Sequence, residues 1–88
     1  MSADTLEIKI AKISRLPEGS RLKAFVDVSV NDALLIKGLR IVDGKTGLFV
    51  SMPQEQGRDK RWYDLVRCLN EDVQAEITQK VIDAYQSE

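Results

Sequence analysis

The run Arg58-Asp59-Lys60-Arg61-Trp62-Tyr63 sets three cations beside two large aromatic side chains. Guanidinium and ammonium groups neutralise phosphates and release their counterions, and aromatic rings stack on unpaired bases. The segment therefore has the chemistry of a nucleic-acid contact. Arg21 and Lys23, which flank Leu22, can extend it as a basic rim. Arg40 can join them or pair with a carboxylate such as Asp43. A competing structural reading stays open: Trp62 anchors a strand in the core, and the cations only solvate a loop.

Other chemistries are poorly supplied. The chain has no histidine, which removes the usual general base and the usual metal ligand. A single cysteine, Cys68, builds neither an intrachain disulfide nor a Cys/His zinc site, and its apolar neighbours Val66 and Leu69 mark it as a small core residue. Gly44-Lys45-Thr46 resembles the end of a phosphate loop, but that motif needs a glycine where Leu39 stands. The bland reading, a hairpin turn, is preferred. Glu71-Asp72 suits a helix start and needs no catalytic explanation. The expectation is a non-enzyme with no catalytic residues, no metal, no cofactor and no small-molecule substrate.

Charge is distributed unevenly. The formal net charge is −1, yet residues 1–69 hold 12 Lys/Arg against 9 Asp/Glu, while residues 70–88 hold Lys80 alone against five acids. The body is mildly basic and the tail acidic, so the chain as a whole is not a polycationic glue. No apolar run approaches the roughly 20 residues that span a bilayer. The first five residues have neither the basic nor the apolar region of a secretory signal. A cytoplasmic protein without membrane contact is expected, with residues 1–5 disordered.

These groups must be positioned by one domain, as expected for 88 residues. Leu6, Ile8 and Ile10 alternate with polar residues, and Ile13 falls out of phase, which points to a bulge or twist near Ala11. After a turn at residues 17–20, Leu22, Ala24, Val26, Val28 and Val30 form the cleanest alternation in the chain. Asn31-Asp32 turns it into a third strand, Leu34–Val42, in which Gly38 marks a bulge or a close approach. Leu48–Met52 is a fourth strand, ended by Pro53, which has no N–H. Gln54–Arg61 reads as a loop and Trp62–Leu69 as a short fifth strand. Asn70 is a helix N-cap, followed by an apolar stripe of Val73, Ile77, Val81 and Tyr85 on about four turns. The fold class is α+β: about five mostly antiparallel strands followed by one C-terminal helix. One helix covers such a sheet incompletely, so a homodimer is expected.

The wording of one segment adds to this. Arg40-Ile41-Val42-Asp43-Gly44, a short connector, then Gly47-Leu48-Phe49-Val50-Ser51-Met52-Pro53 resembles the signature of the SpoVG family, small bacterial regulators named for stage V sporulation and septation. Asp64-Leu65, Leu69-Asn70 and Tyr85 also look like the family pattern, and the resemblance runs from about Leu6 to Tyr85. It implies a mostly antiparallel sheet with a C-terminal helix, a dimer, and non-enzymatic binding of DNA or RNA. On this reading Leu39–Pro53 is the central hairpin of the sheet. The departures are specific. The family typically follows Met-Pro with Ser-Lys-Arg, where this chain has Gln54-Glu55-Gln56. Family cations early in the helix are replaced by Gln74 and Glu76, and His-Pro before the helix by Arg67-Cys68.

Two functions follow. In the first, a dimeric SpoVG-like regulator binds DNA or RNA through Arg58, Lys60 and Arg61, helped by Arg21 and Lys23. In the second, the acidic helix and the missing Lys-Arg pair mark a protein-interaction module that keeps the fold and has lost nucleic-acid binding.

Overall fold

A computed structural model describes residues 6–17 and 19–87. The expectation of disorder over residues 1–5 lies outside these. The order of elements is β1 (Ile8–Arg15), β2 (Leu22–Val30), β3 (Leu34–Gly44), β4 (Gly47–Ser51), β5 (Gln54–Gln56), β6 (Trp62–Asp64) and α1 (Glu71–Ser87). The first four strands form an antiparallel meander in the order β1-β2-β3-β4, and β5 and β6 form a separate two-stranded hairpin. The fold is α+β, with mostly antiparallel strands and a C-terminal helix.

Both anticipated irregularities are present. Ile10 pairs with Val28 and Lys12 with Asp27, so Ala11 is an extra residue on β1. That bulge returns Ile13 to the inward face. On β3, Lys37 and Gly38 both lie between the pairs Val28↔Ile36 and Val26↔Leu39, opposite Asp27 alone. Gly38 has φ 88°, a left-handed conformation that a side chain resists, and its N–H donates to Asp27 Oδ1 at 3.2 Å. The β2–β3 turn places Asn31 and Asp32 both at positive φ, with Ala33 N–H donating to the Val30 carbonyl at 2.9 Å. Asn and Asp tolerate this region better than other side chains, which is why the turn forms there.

Alternation along β2 and β3 divides the sheet into two faces. Ala24, Val26, Val28, Leu39 and Ile41 are fully buried and meet Ile77 and Val81 of α1 in one core with Ile8. Asn70 caps the helix: its Oδ1 accepts from the N–H groups of Asp72 (2.8 Å) and Val73 (3.2 Å). Val73 and Tyr85 pack at the margins of the core, so the expected stripe is the buried face.

Three expectations are corrected. Gln54–Arg61 is not wholly a loop, because Gln54–Gln56 pairs with Trp62–Asp64 as β5. The fifth strand anticipated over Trp62–Leu69 ends at Asp64, since Leu65 turns away after donating its N–H to the carbonyl of buried Pro53. The Leu39–Pro53 hairpin lies at the edge rather than the centre, because among the described residues no strand pairs beyond β4. Pro53 diverts the chain out of the sheet before a further strand can pair.

Candidate nucleic-acid interface

The β5–β6 hairpin builds the cationic loop. Gln56 pairs with Trp62. Within that pair, Gly57 N–H donates to the Arg61 carbonyl at 2.8 Å and Lys60 N–H to the Gly57 carbonyl at 3.0 Å. These bonds define a three-residue hairpin loop, Arg58-Asp59-Lys60, whose last residue is left-handed: Lys60 has φ 66°. Glycine is the ordinary occupant of that position. A lysine there costs about 1 kcal/mol of backbone strain and projects an ammonium from the tip.

The loop is braced by its one acid. Asp59 accepts from the Arg61 N–H at 3.0 Å and from the Tyr63 hydroxyl at 2.5 Å. The hydroxyl contact is the main reason the Asp59 carboxyl is held below its ordinary pKa, and the same contact pushes the Tyr63 phenol up. Tyr63 lies so close over Gly57 that a Cβ there would stand 2.8 Å from the ring. At the base, Asp64 takes hydrogen bonds from Arg67 (2.8 Å) and Gln54 (2.7 Å), and both hold its pKa down, Arg67 foremost. The hairpin thus keeps its shape through polar contacts at both ends rather than through burial.

Arg58, Lys60 and Arg61 are exposed and make no ion pair among the described residues. Other cations are engaged. Lys9 bridges Glu7 and Asp32, and Arg67 pairs with Asp64. Lys80 pairs with Glu76 and donates to the Ile8 carbonyl at 3.0 Å. Arg15 lies 4.3 Å from the centre of the Tyr85 ring and donates to the Tyr85 carbonyl.

Trp62 is not a core anchor: it is 53% exposed. Its ring centre is 5.4 Å from the guanidinium carbon of Arg40, which also lies 5.9 Å from the centre of Phe25. Among the described residues Arg40 forms no ion pair with Asp43, so that pairing is not made, and its guanidinium lies instead between two aromatic rings. Ser14, Phe25, Arg40 and Ser51 are successive register partners across all four strands, on the face opposite the buried valines. The neighbouring row on that face is Leu22, Val42 and Phe49.

The five expected contact residues come from two elements. Arg58, Lys60 and Arg61 share the hairpin loop, whereas Arg21 and Lys23 stand where β2 begins, at the end of the sheet that carries the β3–β4 turn. The Arg21 carbonyl accepts from Asp43 N–H at 2.7 Å, and Lys23 is an extra residue between the pairs Leu22↔Val42 and Ala24↔Ile41. Sequence reasoning missed Phe25 and Phe49 as neighbours of this surface. The signal was present, since Phe25 alternates with the buried valines and Phe49 with Leu48 and Val50. Among the described residues no cluster of His, Cys, Asp or Glu could hold a metal ion, and no helix is long and apolar enough to cross a membrane.

Comparison with known proteins identifies a family for the chain. The SpoVG family model matches residues 4–87. A relative from Desulforudis audaxviator, named "Putative septation protein SpoVG", is 31% identical over 81 residues, covering 92% of each chain. Relatives of the same name from Bdellovibrio bacteriovorus and Staphylococcus aureus strain JH9 are each 29% identical. The alignments cover 92% and 91% of this chain, and 76% and 80% of theirs. The chain belongs to the SpoVG family.

Proposed function

We propose that this SpoVG-family chain is a dimeric bacterial regulator of the septation class that binds nucleic acid without catalysing a reaction. The observation that carries the reading is the β5–β6 loop. It holds three exposed cations without ion pairs among the described residues, one of them in a strained left-handed position, next to an exposed tryptophan. Strain of this kind persists where the surroundings enforce it and recurs at functional positions. Arg58, Lys60 and Arg61 contact phosphates, and Arg21 and Lys23, at the start of β2, add to the cationic surface. The septation named in the relatives would then be reached through control of a nucleic acid.

Dimerisation rests on a different surface. The radius of gyration, 13.6 Å, exceeds the roughly 12 Å of a compact chain of this length, as fits a slab 23 Å thick. An apolar groove of about 350 Å³ runs past Val30, Leu34, Ile36, Leu69 and Val73. Leu69 is 94% and Leu34 66% exposed, and among the described residues Arg67 is the one charged side chain that lines the groove. A second copy brings the same apolar surface and can cover it isologously. Light scattering is expected to give about 20 kDa, twice the 9.9 kDa chain mass.

The deciding experiment is fluorescence anisotropy with duplex and single-stranded probes across salt. Affinity should fall steeply as salt rises, because each neutralised phosphate contributes about −0.7 to −0.9 to the log–log slope. Absence of binding even at low salt would leave the second reading, a protein-interaction module. The observation favouring that reading is the acidic helix, whose one cation, Lys80, is held by Glu76 and the Ile8 carbonyl.

A further inference from the structure

We infer that the sheet face opposite the helix is a stacking platform for unpaired bases, which makes single-stranded nucleic acid the ligand class. The inference rests on the nucleic-acid reading above and names its substrate. Phe25, Arg40, Phe49 and Trp62 share this face. Phe49 is 48% and Trp62 53% exposed, although aromatic side chains gain most from burial. The helix covers only the other face, where Ile77 and Val81 meet the buried valines.

The geometry suits bases rather than a protein partner. Phe25 and Phe49 lie two strands and one inward–outward repeat apart, about 12 Å from strand spacing and rise. That distance keeps the two strand positions apart, with the planar Arg40 guanidinium between Phe25 and Trp62. Guanidinium planes and aromatic rings are the groups on which splayed bases stack, and open four-stranded sheets in other folds stack two or three bases in this way. Charge completes the match. The cationic loop begins next to Trp62, and Lys12 and Lys37 on the same sheet make no ion pair among the described residues. Asp27, the acid between them, turns Oδ1 toward the Gly38 N–H. Backbone phosphates would follow the loop while their bases turn onto the rings. A duplex keeps its bases stacked inside and gains only the phosphate contacts.

The test compares one sequence as a single strand and as a duplex, at fixed salt, using the whole chain and the variants W62L and F49L. Stacking is worth about 5- to 150-fold per base. Each variant should therefore lose at least about 5-fold for the single strand, change the duplex little, and leave the salt slope as it was. Trp62 is the chain's one tryptophan, so in the unmodified protein its fluorescence should be quenched by the single strand and not by the duplex. That readout holds even if a variant fails to fold. Binding with equal affinity for both probes, or binding of the single strand without quenching, overturns the platform and leaves the function standing. Absence of binding to either probe at low salt overturns both.

Discussion

Neutralising the hairpin loop isolates its electrostatic contribution. The variant R58Q/K60N/R61Q removes three charges that have no ion-pair partner among the described residues, so no acid is left exposed by the change. Asparagine is chosen for Lys60 because it tolerates φ 66° better than most side chains. Asp59, Tyr63 and the backbone bonds of the loop remain. If all three cations meet phosphates of a single strand, they contribute about 2.1 to the salt slope, at roughly 0.7 each. If Asp59, which stays ionised at the loop centre, offsets one of them, the contribution is about 1.4. Between 50 and 200 mM salt these slopes correspond to about an 18-fold and a 7-fold loss of affinity in the unmodified protein. The variant should lack that part of the loss. Anisotropy titrations at three salt concentrations measure it directly. A variant whose slope matches the parent's to within about 0.5 would refute phosphate contact by this loop.

Further outcomes follow from the fold. L39A empties part of the core at a fully buried position and should cost about 2–5 kcal/mol, lowering Tm by about 8 °C or more in a thermal melt followed by circular dichroism. N70A removes the acceptor for two helix N–H groups and should cost about 1 kcal/mol, or 4–8 °C. The Asp59–Tyr63 contact has a defined pH window. The Asp59 pKa is depressed below 3.8, so its contribution is present above that value and lost as pH falls through the lower folded one. The Tyr63 pKa is raised above 10.0, so its contribution is present below pH 10 and lost as pH rises past the folded value. Trp62 fluorescence should therefore be flat between about pH 4 and 10 and change at both ends, and Y63F should abolish the alkaline change.

The meander was legible because its strands alternate and its irregularities carry marks. Ala11 shifts the phase of β1, and Gly38 sits where only glycine is comfortable. β5 carries no such mark. Gln54-Glu55-Gln56 has no apolar face, and it is a strand only because Trp62–Asp64 returns to pair with its backbone. The edge position of Leu39–Pro53 is likewise unmarked in the sequence. Its run is nearly continuous apolar, yet Leu48, Val50 and Met52 serve the core while Phe49 faces out at the edge. Trp62 shows the limit most clearly. Size and hydrophobicity argue for burial, and what places it outside is a loop whose shape depends on Asp59, Gly57 and Tyr63 acting together.

The acidic helix, which argued against nucleic-acid binding in the sequence, has a different weight in three dimensions. Its acids lie on the far side of the sheet from Arg40 and Trp62, because Ile77 and Val81 direct the helix onto the buried face. A helix with side chains is about 10–12 Å across, so acids on its outer surface stand more than a Debye length from the opposite face of the sheet at 0.15 M salt, where that length is about 8 Å. At 0.01 M the length grows to about 30 Å and the repulsion reaches across. Replacing Glu76 and Asp83 with Gln and Asn should therefore raise single-strand affinity at 0.01 M and leave it unchanged at 0.15 M. Both residues are exposed, and their recorded contacts, Lys80 for Glu76 and Gln79 and Ser87 for Asp83, are local to the helix. An increase that persists at 0.15 M would put the bound strand beside the helix and remove the sheet face from consideration. No difference from the unmodified protein at either salt would mean that the separation of the two faces already suffices without screening.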